Sequence, residues 1–154
     1  MKTSSVRIRP YEPRDAEAVS QLIRSTMLIS NVSDYPLDRL QPLIDYFTPE
    51  KLDQINRDRS CFVAEVDSTI VGTAGLEGDA LVTFFVNPTR QRQGIGAGLL
   101  HEVEETARSQ GLRELKVHSS LAGASFYEAM GYERTGSITP GTAGPHIEMI
   151  KPIG

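Results

Sequence analysis

The run Arg90-Gln91-Arg92-Gln93-Gly94-Ile95-Gly96 joins two segments of opposite periodicity. Before it, Ala80-Leu81-Val82-Thr83-Phe84-Phe85-Val86 is apolar and β-prone, and Asn87-Pro88 ends it. After it, Leu99, Leu100, Val103 and Ala107 recur at helical spacing, with Glu102, Glu104, Glu105 and Arg108 between them. The two glycines therefore open a helix directly after a buried strand. A residue without Cβ lets backbone approach a ligand closely. The first helical turn carries unpaired N–H donors and the positive end of the helix dipole. Together these form a cradle for a pyrophosphate, with Gln93, Ile95 and Ala97 within it and Arg90 and Arg92 adding positive charge.

Two common phosphate loops are excluded. The run lacks the Lys-Ser/Thr ending of a P-loop, and the third glycine of a dinucleotide fingerprint would fall at Leu99. The run resembles instead the Gln/Arg-x-x-Gly-x-Gly/Ala signature of the GCN5-related N-acetyltransferase (GNAT) family. Gln91, Gly94 and Gly96 fill the signature positions. In that family the loop binds the pyrophosphate of acetyl-CoA.

The chain has 154 residues, enough for one domain with a real core, and the expectation is a single domain over 1–154. A net charge of −4 with mixed signs argues against nucleic-acid or anionic-membrane partners. One cysteine, Cys61, rules out an internal disulfide framework and fits a reducing, cytoplasmic setting. It lies in the strand-like Cys61-Phe62-Val63-Ala64-Glu65-Val66, so buried packing is the expected role, with a reactive thiol as the alternative. The N-terminus has no apolar h-region, and no run approaches a membrane span. His101, His118 and His146 are far apart and have no partner at ligand spacing, so no metal is expected.

Along the chain, Val6 to Arg9 alternates as a strand. Pro13 and Asp15 open a helix striped by Ala16, Val19, Leu22, Ile23 and Met27. Residues 29–59 hold one or two short helices, one capped at Thr48-Pro49-Glu50. Residues 61–66 and 69–76 pair as a hairpin about Asp67-Ser68, and Glu77-Gly78-Asp79 turns into strand 80–86. The helix after the glycine loop stops near Gln110-Gly111. Residues 113–118 read as a strand, 122–130 as a short helix, 132–135 as a strand, 136–145 as a loop, and 146–151 as the last strand. The order β-α-α-β-β-β-α-β-α-β-β predicts an α/β (α+β) fold. Its sheet is mixed and mostly antiparallel, with helices on its faces.

That order resembles the GNAT fold over essentially the whole chain. Ser120 to Glu133 is similar to the family's A-x-x-F-Y-x-x-x-G-F/Y segment, with Phe126-Tyr127 and Gly131-Tyr132 in place. The usual Asn-Ala ahead of Phe-Tyr is here Ala122-Gly123, and Ser120 is the hydroxyl available instead. The resemblance implies that the Tyr127 hydroxyl protonates the departing CoA thiolate. Packing on a helix face is its other reading. It implies that strand 80–86 splays from the next parallel strand. The backbone around Phe84, Phe85 and Val86 is then free to hold the pantetheine arm and polarise the thioester carbonyl. Phe126 and Ser120 join that binding set.

A base must take a proton from the incoming ammonium. His118 is the candidate, since histidine exchanges protons near neutral pH. Glu77, His146, water or a backbone carbonyl are alternatives. The resemblance thus implies an acetyl-CoA-dependent N-acetyltransferase working as a monomer or homodimer. The alternatives are a non-catalytic acyl-CoA sensor and a nucleotide-binding fold. The acceptor site is expected from residues 25–50 and 136–145, where Asp34, Asp38 and Asp45 offer negative charge.

Overall fold

The structure is a computed structural model that describes residues 5–31, 36–90, 93–140 and 145–154. Seven strands form one sheet: β1 (Val6–Pro10), β2 (Ser60–Val66), β3 (Thr69–Glu77), β4 (Ala80–Val86), β5 (Glu114–Ser119), β6 (Glu133–Pro140) and β7 (Pro145–Pro152). Their spatial order is β1-β2-β3-β4-β5-β7-β6. All neighbours are antiparallel except β4 and β5. Among the described residues five α-helices accompany them: α1 (Ala16–Thr26), α2 (Leu37–Tyr46), α3 (Pro49–Asn56), α4 (Ile95–Ser109) and α5 (Ala124–Ala129).

Strand alternation divides the core between the two faces of the sheet. Phe62, Ala64 and Val66 of β2 point to the face covered by Leu99, Leu100, Val103 and Ala107 of α4. Val63 points the other way, into Val19 and Ile23 of α1, Leu40 and Ile44 of α2, and Leu52 of α3. The β2–β3 hairpin turns on Asp67 and Ser68, both with positive φ (51° and 66°). That is the type I′ geometry whose twist matches the flanking strands, and a short polar Asp tolerates it.

β4 carries a bulge. Thr73 pairs with Phe85 but Gly75 pairs with Val82, so β4 holds one residue more than β3 across this interval. Thr83 takes the left-handed conformation, φ 45°. The extra residue shifts the alternation: Leu81 faces α4 before the bulge, and Phe84 and Val86 face it afterwards. Phe85 is turned to the α1 side.

The region 29–59 contains two helices, α2 and α3, so a third helix precedes β2. Thr48 caps α3, its hydroxyl accepting from the Lys51 N–H at 3.2 Å. α1 runs on through a π-helical turn, Met27–Asn31. The expected loop over 136–145 is corrected. β6 continues to Pro140, β7 begins at Pro145, and the connection shortens to residues outside the described set. The strand passes its glycine because Gly136 absorbs a register shift at φ 93°. Among the described residues no helix is long and apolar enough to cross a membrane.

Candidate active site

The parallel pair β4–β5 has a single register partner, Ala80 with Lys116. The Lys116 N–H donates to the Asp79 carbonyl at 2.9 Å, and beyond that point the strands diverge. On their outer sides both remain paired, β4 to β3 and β5 to β7 through Ser119 with Ile147. The groups of Leu81–Val86 that point toward β5 therefore form no ladder there. Backbone groups left this way inside a sheet are donors and acceptors for an extended ligand.

At the open end of β4 the chain turns tightly. The Asn87 N–H donates to Val71 at 2.8 Å. The Asn87 side-chain oxygen accepts from the Thr89 N–H at 3.0 Å, and a 3-10 turn follows over Pro88–Arg90. Gln91 and Arg92 lie outside the described residues. Gln93 is exposed. Gly94 is the N-cap of α4 at φ 80°, with no side-chain cap on the helix, and a Cβ there would meet nothing within 4 Å. The first-turn amides of Ile95, Gly96 and Ala97 donate to no backbone carbonyl among the described residues, as a phosphate cradle requires. Ile95 itself is buried and anchors the helix. A Cβ on Gly96 would lie 3.4 Å from Phe84 and 3.5 Å from Phe126, so the helix start rests on these rings. The geometry fits a pyrophosphate group.

The rings form a cluster. Phe84 lies 5.8 Å from Phe126 and 6.1 Å from Tyr127 between centroids. Tyr127 in turn meets Tyr132 edge-on at 5.8 Å. Tyr127 is buried, and its hydroxyl makes no hydrogen bond among the described residues. Burial pushes its phenol up from the ordinary value, so it keeps its proton near neutral pH. Ser120 holds the turn before α5, its hydroxyl oxygen accepting from the Gly123 N–H at 3.1 Å.

Behind the cluster lies a polar triad that the sequence pattern concealed. Glu104, expected between the apolar positions of α4, is only 4% exposed. It accepts from the Tyr132 hydroxyl at 2.6 Å and from Lys151 Nζ at 3.1 Å. Burial, with this hydrogen bond adding to it, pushes the Tyr132 phenol up.

His118 occupies the end of β5 beside the divergence. Leu115 and Val117 point toward α4, so His118 emerges on the opposite face from Tyr127. Its Nε2 is 3.8 Å from Glu148 Oε2 on β7. His146 lies two residues before Glu148 on the same face of β7. Glu77 sits at the other end of β4, opposite Ala80, and pairs with Arg59 at 2.6 Å. That sets it at the closed end of the β4–β5 pair, away from the divergence. Asp38 and Asp45 lie on exposed positions of α2, and Asp34 falls outside the described residues. Cys61 is buried, and burial pushes its thiol up to about 11. That state is the packing role, not the reactive one.

Residues 31–152 match the family model of the acetyltransferase (GNAT) domain. The chain belongs to the GNAT acetyltransferase family. Its fold is that of the GCN5-related N-acetyltransferase from Rhodopseudomonas palustris, with TM-score 0.88, 22% identity, and 99% of this chain and 98% of that one covered. The PaiA N-acetyltransferase from Thermoplasma acidophilum, solved with coenzyme A, superposes with TM-score 0.81 at 23% identity, covering 96% and 99%. An aminoglycoside 6′-N-acetyltransferase complexed with coenzyme A gives TM-score 0.72 at 20% identity, covering 96% and 97%. No curated protein matches the chain by sequence.

Proposed function

We propose that residues 1–154 form one acetyl-CoA-dependent N-acetyltransferase domain that moves an acetyl group directly onto an amine in a ternary complex. The observation that carries this reading is the divergence of β4 from β5 after Ala80 and Lys116, set beside the glycine-led start of α4. The coenzyme A bound to two of the structural neighbours supports it.

In this reading Gly94, Ile95, Gly96 and Ala97 hold the pyrophosphate through backbone N–H groups, and Arg90, Gln91, Arg92 and Gln93 flank it. Phe84, Phe85 and Val86 offer the open backbone of β4 to the pantetheine arm. Ser120 and Phe126 line the other side. Acetyl-CoA supplies an acetyl group already activated as a thioester. The protein positions the amine against it, excludes water and manages two protons.

His118 accepts a proton from the acceptor ammonium. The Val86 backbone polarises the carbonyl where negative charge develops. Tyr127 donates its proton to the departing sulfur. Burial raises the phenol, so Tyr127 holds the proton it gives to the sulfur. The buried Cys61 and mixed surface charge fit work in the cytoplasm, away from nucleic acid and membrane surfaces.

Calorimetric titration tests the cofactor side. Acetyl-CoA binds with saturable heat, and NAD and ATP bind far more weakly. A clear preference for NAD or ATP would return the glycine loop to nucleotide binding.

A further inference from the structure

We infer that Glu148 is the positioning residue for His118, with Thr135 fixing Glu148, so that three neighbouring strands assemble one proton-accepting unit on the face opposite Tyr127. The inference rests on the acetyltransferase reading above and deepens it.

The register sets the geometry. His118 and Glu148 are direct partners across β5 and β7. Side chains of directly opposed residues project from the same face within reach of each other. The two carboxylate oxygens of Glu148 have separate neighbours. Oε1 accepts from the Thr135 hydroxyl of β6 at 3.0 Å, and Oε2 faces His118 Nε2 at 3.8 Å. Thr135 is itself fixed, because its Oγ1 accepts from the Ser137 N–H at 3.2 Å. The carboxylate is thereby oriented with one oxygen toward the imidazole. Its side chain is 23% exposed and that of His118 is 41% exposed, so the unit stays open to solvent and to an incoming amine.

The other ionisable groups on this face are few. β5 contributes Lys116 and Glu114, two and four residues before His118, and β7 contributes His146, two residues before Glu148. β4 carries no ionisable residue between Ala80 and Val86. α4 packs on the opposite face. Among the described residues, Glu148 is the acidic group that an ion-pair distance sets against the imidazole, Glu114 lying a further turn of the alternation away along β5.

The arrangement assigns the two ring nitrogens. Nε2 carries its hydrogen toward Glu148, and Nδ1 presents the lone pair. One N–H bond of the acceptor ammonium breaks, its electron pair stays on the amine nitrogen, and the proton passes to Nδ1. The resulting imidazolium sits beside the Glu148 carboxylate and later returns the proton to solvent. Glu148 acts only through His118: it sets the tautomer and stabilises the charged ring.

A double-mutant cycle tests this, because a residue acting through another adds nothing once the other is gone. The substrates are acetyl-CoA and the best amine from a panel of polyamines, amino acids, aminoglycosides and peptides. His118→Asn lowers kcat by about 10²-fold, the scale of general base catalysis, and leaves acetyl-CoA affinity unchanged. Glu148→Gln lowers kcat by about tenfold, a part of the factor lost with the base itself, and Thr135→Val by less. The double variant His118→Asn/Glu148→Gln is no slower than His118→Asn alone. Multiplying losses would make Glu148 an independent, structural contributor and overturn the inference. A silent Glu148→Gln, or a silent His118→Asn, would overturn it too. In each of those cases wild-type turnover would leave the acetyltransferase reading standing. A wild-type chain that acetylates no amine in the panel would overturn both.

Discussion

The ring of Phe84 lies 6.1 Å from that of Tyr127, and it does so because β4 carries one extra residue between Val82 and Phe85. A regular strand would put Leu81, Thr83 and Phe85 on the α4 face. The left-handed turn at Thr83 exchanges Phe85 for Phe84 there, and with it supplies a wall for the start of α4. A β-branched residue in that conformation stores about 1–2 kcal/mol. Thr83→Gly releases that strain and keeps the bulge, so urea denaturation finds it at least as stable as the parent, with acetyl-CoA binding intact. Deleting Thr83 restores a regular ladder in which Leu81, Phe84 and Val86 still alternate onto the α4 face, so the wall against Tyr127 persists and acetyl-CoA still binds in calorimetry.

The glycine positions separate by mechanism. Gly96→Ala places a methyl at ordinary contact distance from Phe84 and Phe126, and the helix tolerates it. Gly96→Asp brings a longer side chain and a negative charge to the same spot and abolishes acetyl-CoA binding. Gly94→Ala binds weakly and loses about 1 kcal/mol of stability, because φ 80° is costly for any residue with a Cβ. Tight binding by Gly96→Asp would contradict the cradle.

Tyr127→Phe isolates one hydroxyl. That group makes no hydrogen bond among the described residues, so its loss leaves the melting temperature unchanged or slightly raised. Turnover falls by about 10²-fold with acetyl-CoA affinity retained, as expected for a lost proton donor. A variant that loses stability and binding together would make Tyr127 a packing residue only.

The Glu104 triad predicts a large stability effect away from the chemistry. Glu104→Ala leaves the Tyr132 hydroxyl and Lys151 without their buried acceptor and costs about 3–5 kcal/mol. Replacing the set together, as Glu104→Leu with Tyr132→Phe and Lys151→Met, recovers most of that loss by chemical denaturation.

Much of this arrangement is legible in the sequence. The apolar run 80–86, the paired glycines and the Phe126-Tyr127 pair place β4, α4 and α5 before any coordinates. The bulge is not legible, because nothing in Leu-Val-Thr-Phe-Phe marks where an extra residue enters the pairing. Glu104 reads as a solvated helix charge because Tyr132 and Lys151 approach it only in three dimensions. The length of β6 is hidden by Gly136 and by a polar, exposed edge strand. Glu148 gains meaning only from the register that sets it opposite His118.

Alkaline pH weakens the fold. Burial raises the Cys61 thiol to about 11 and pushes the Tyr127 and Tyr132 phenols up. A group raised in the folded state contributes its full stability below its unfolded value, about 8.5 for thiol and 10 for phenol. That contribution is lost as pH climbs toward the folded value. Unfolding free energy therefore stays level to about pH 8 and then declines, by up to about 1.4 kcal/mol per pH unit for each group. Cys61→Ala removes the earliest part of that decline.

The central claim is that an amine takes the acetyl group directly from acetyl-CoA in the gap between β4 and β5. Its most direct test counts both products with the wild-type protein across the amine panel. Free coenzyme A thiol is followed by colorimetry and N-acetylated amine by mass spectrometry. The account predicts amine-dependent thiol release matched one to one by acetylated amine. Acetyl-CoA that binds tightly while no amine in the panel yields thiol or product would contradict it and leave a non-catalytic acyl-CoA sensor.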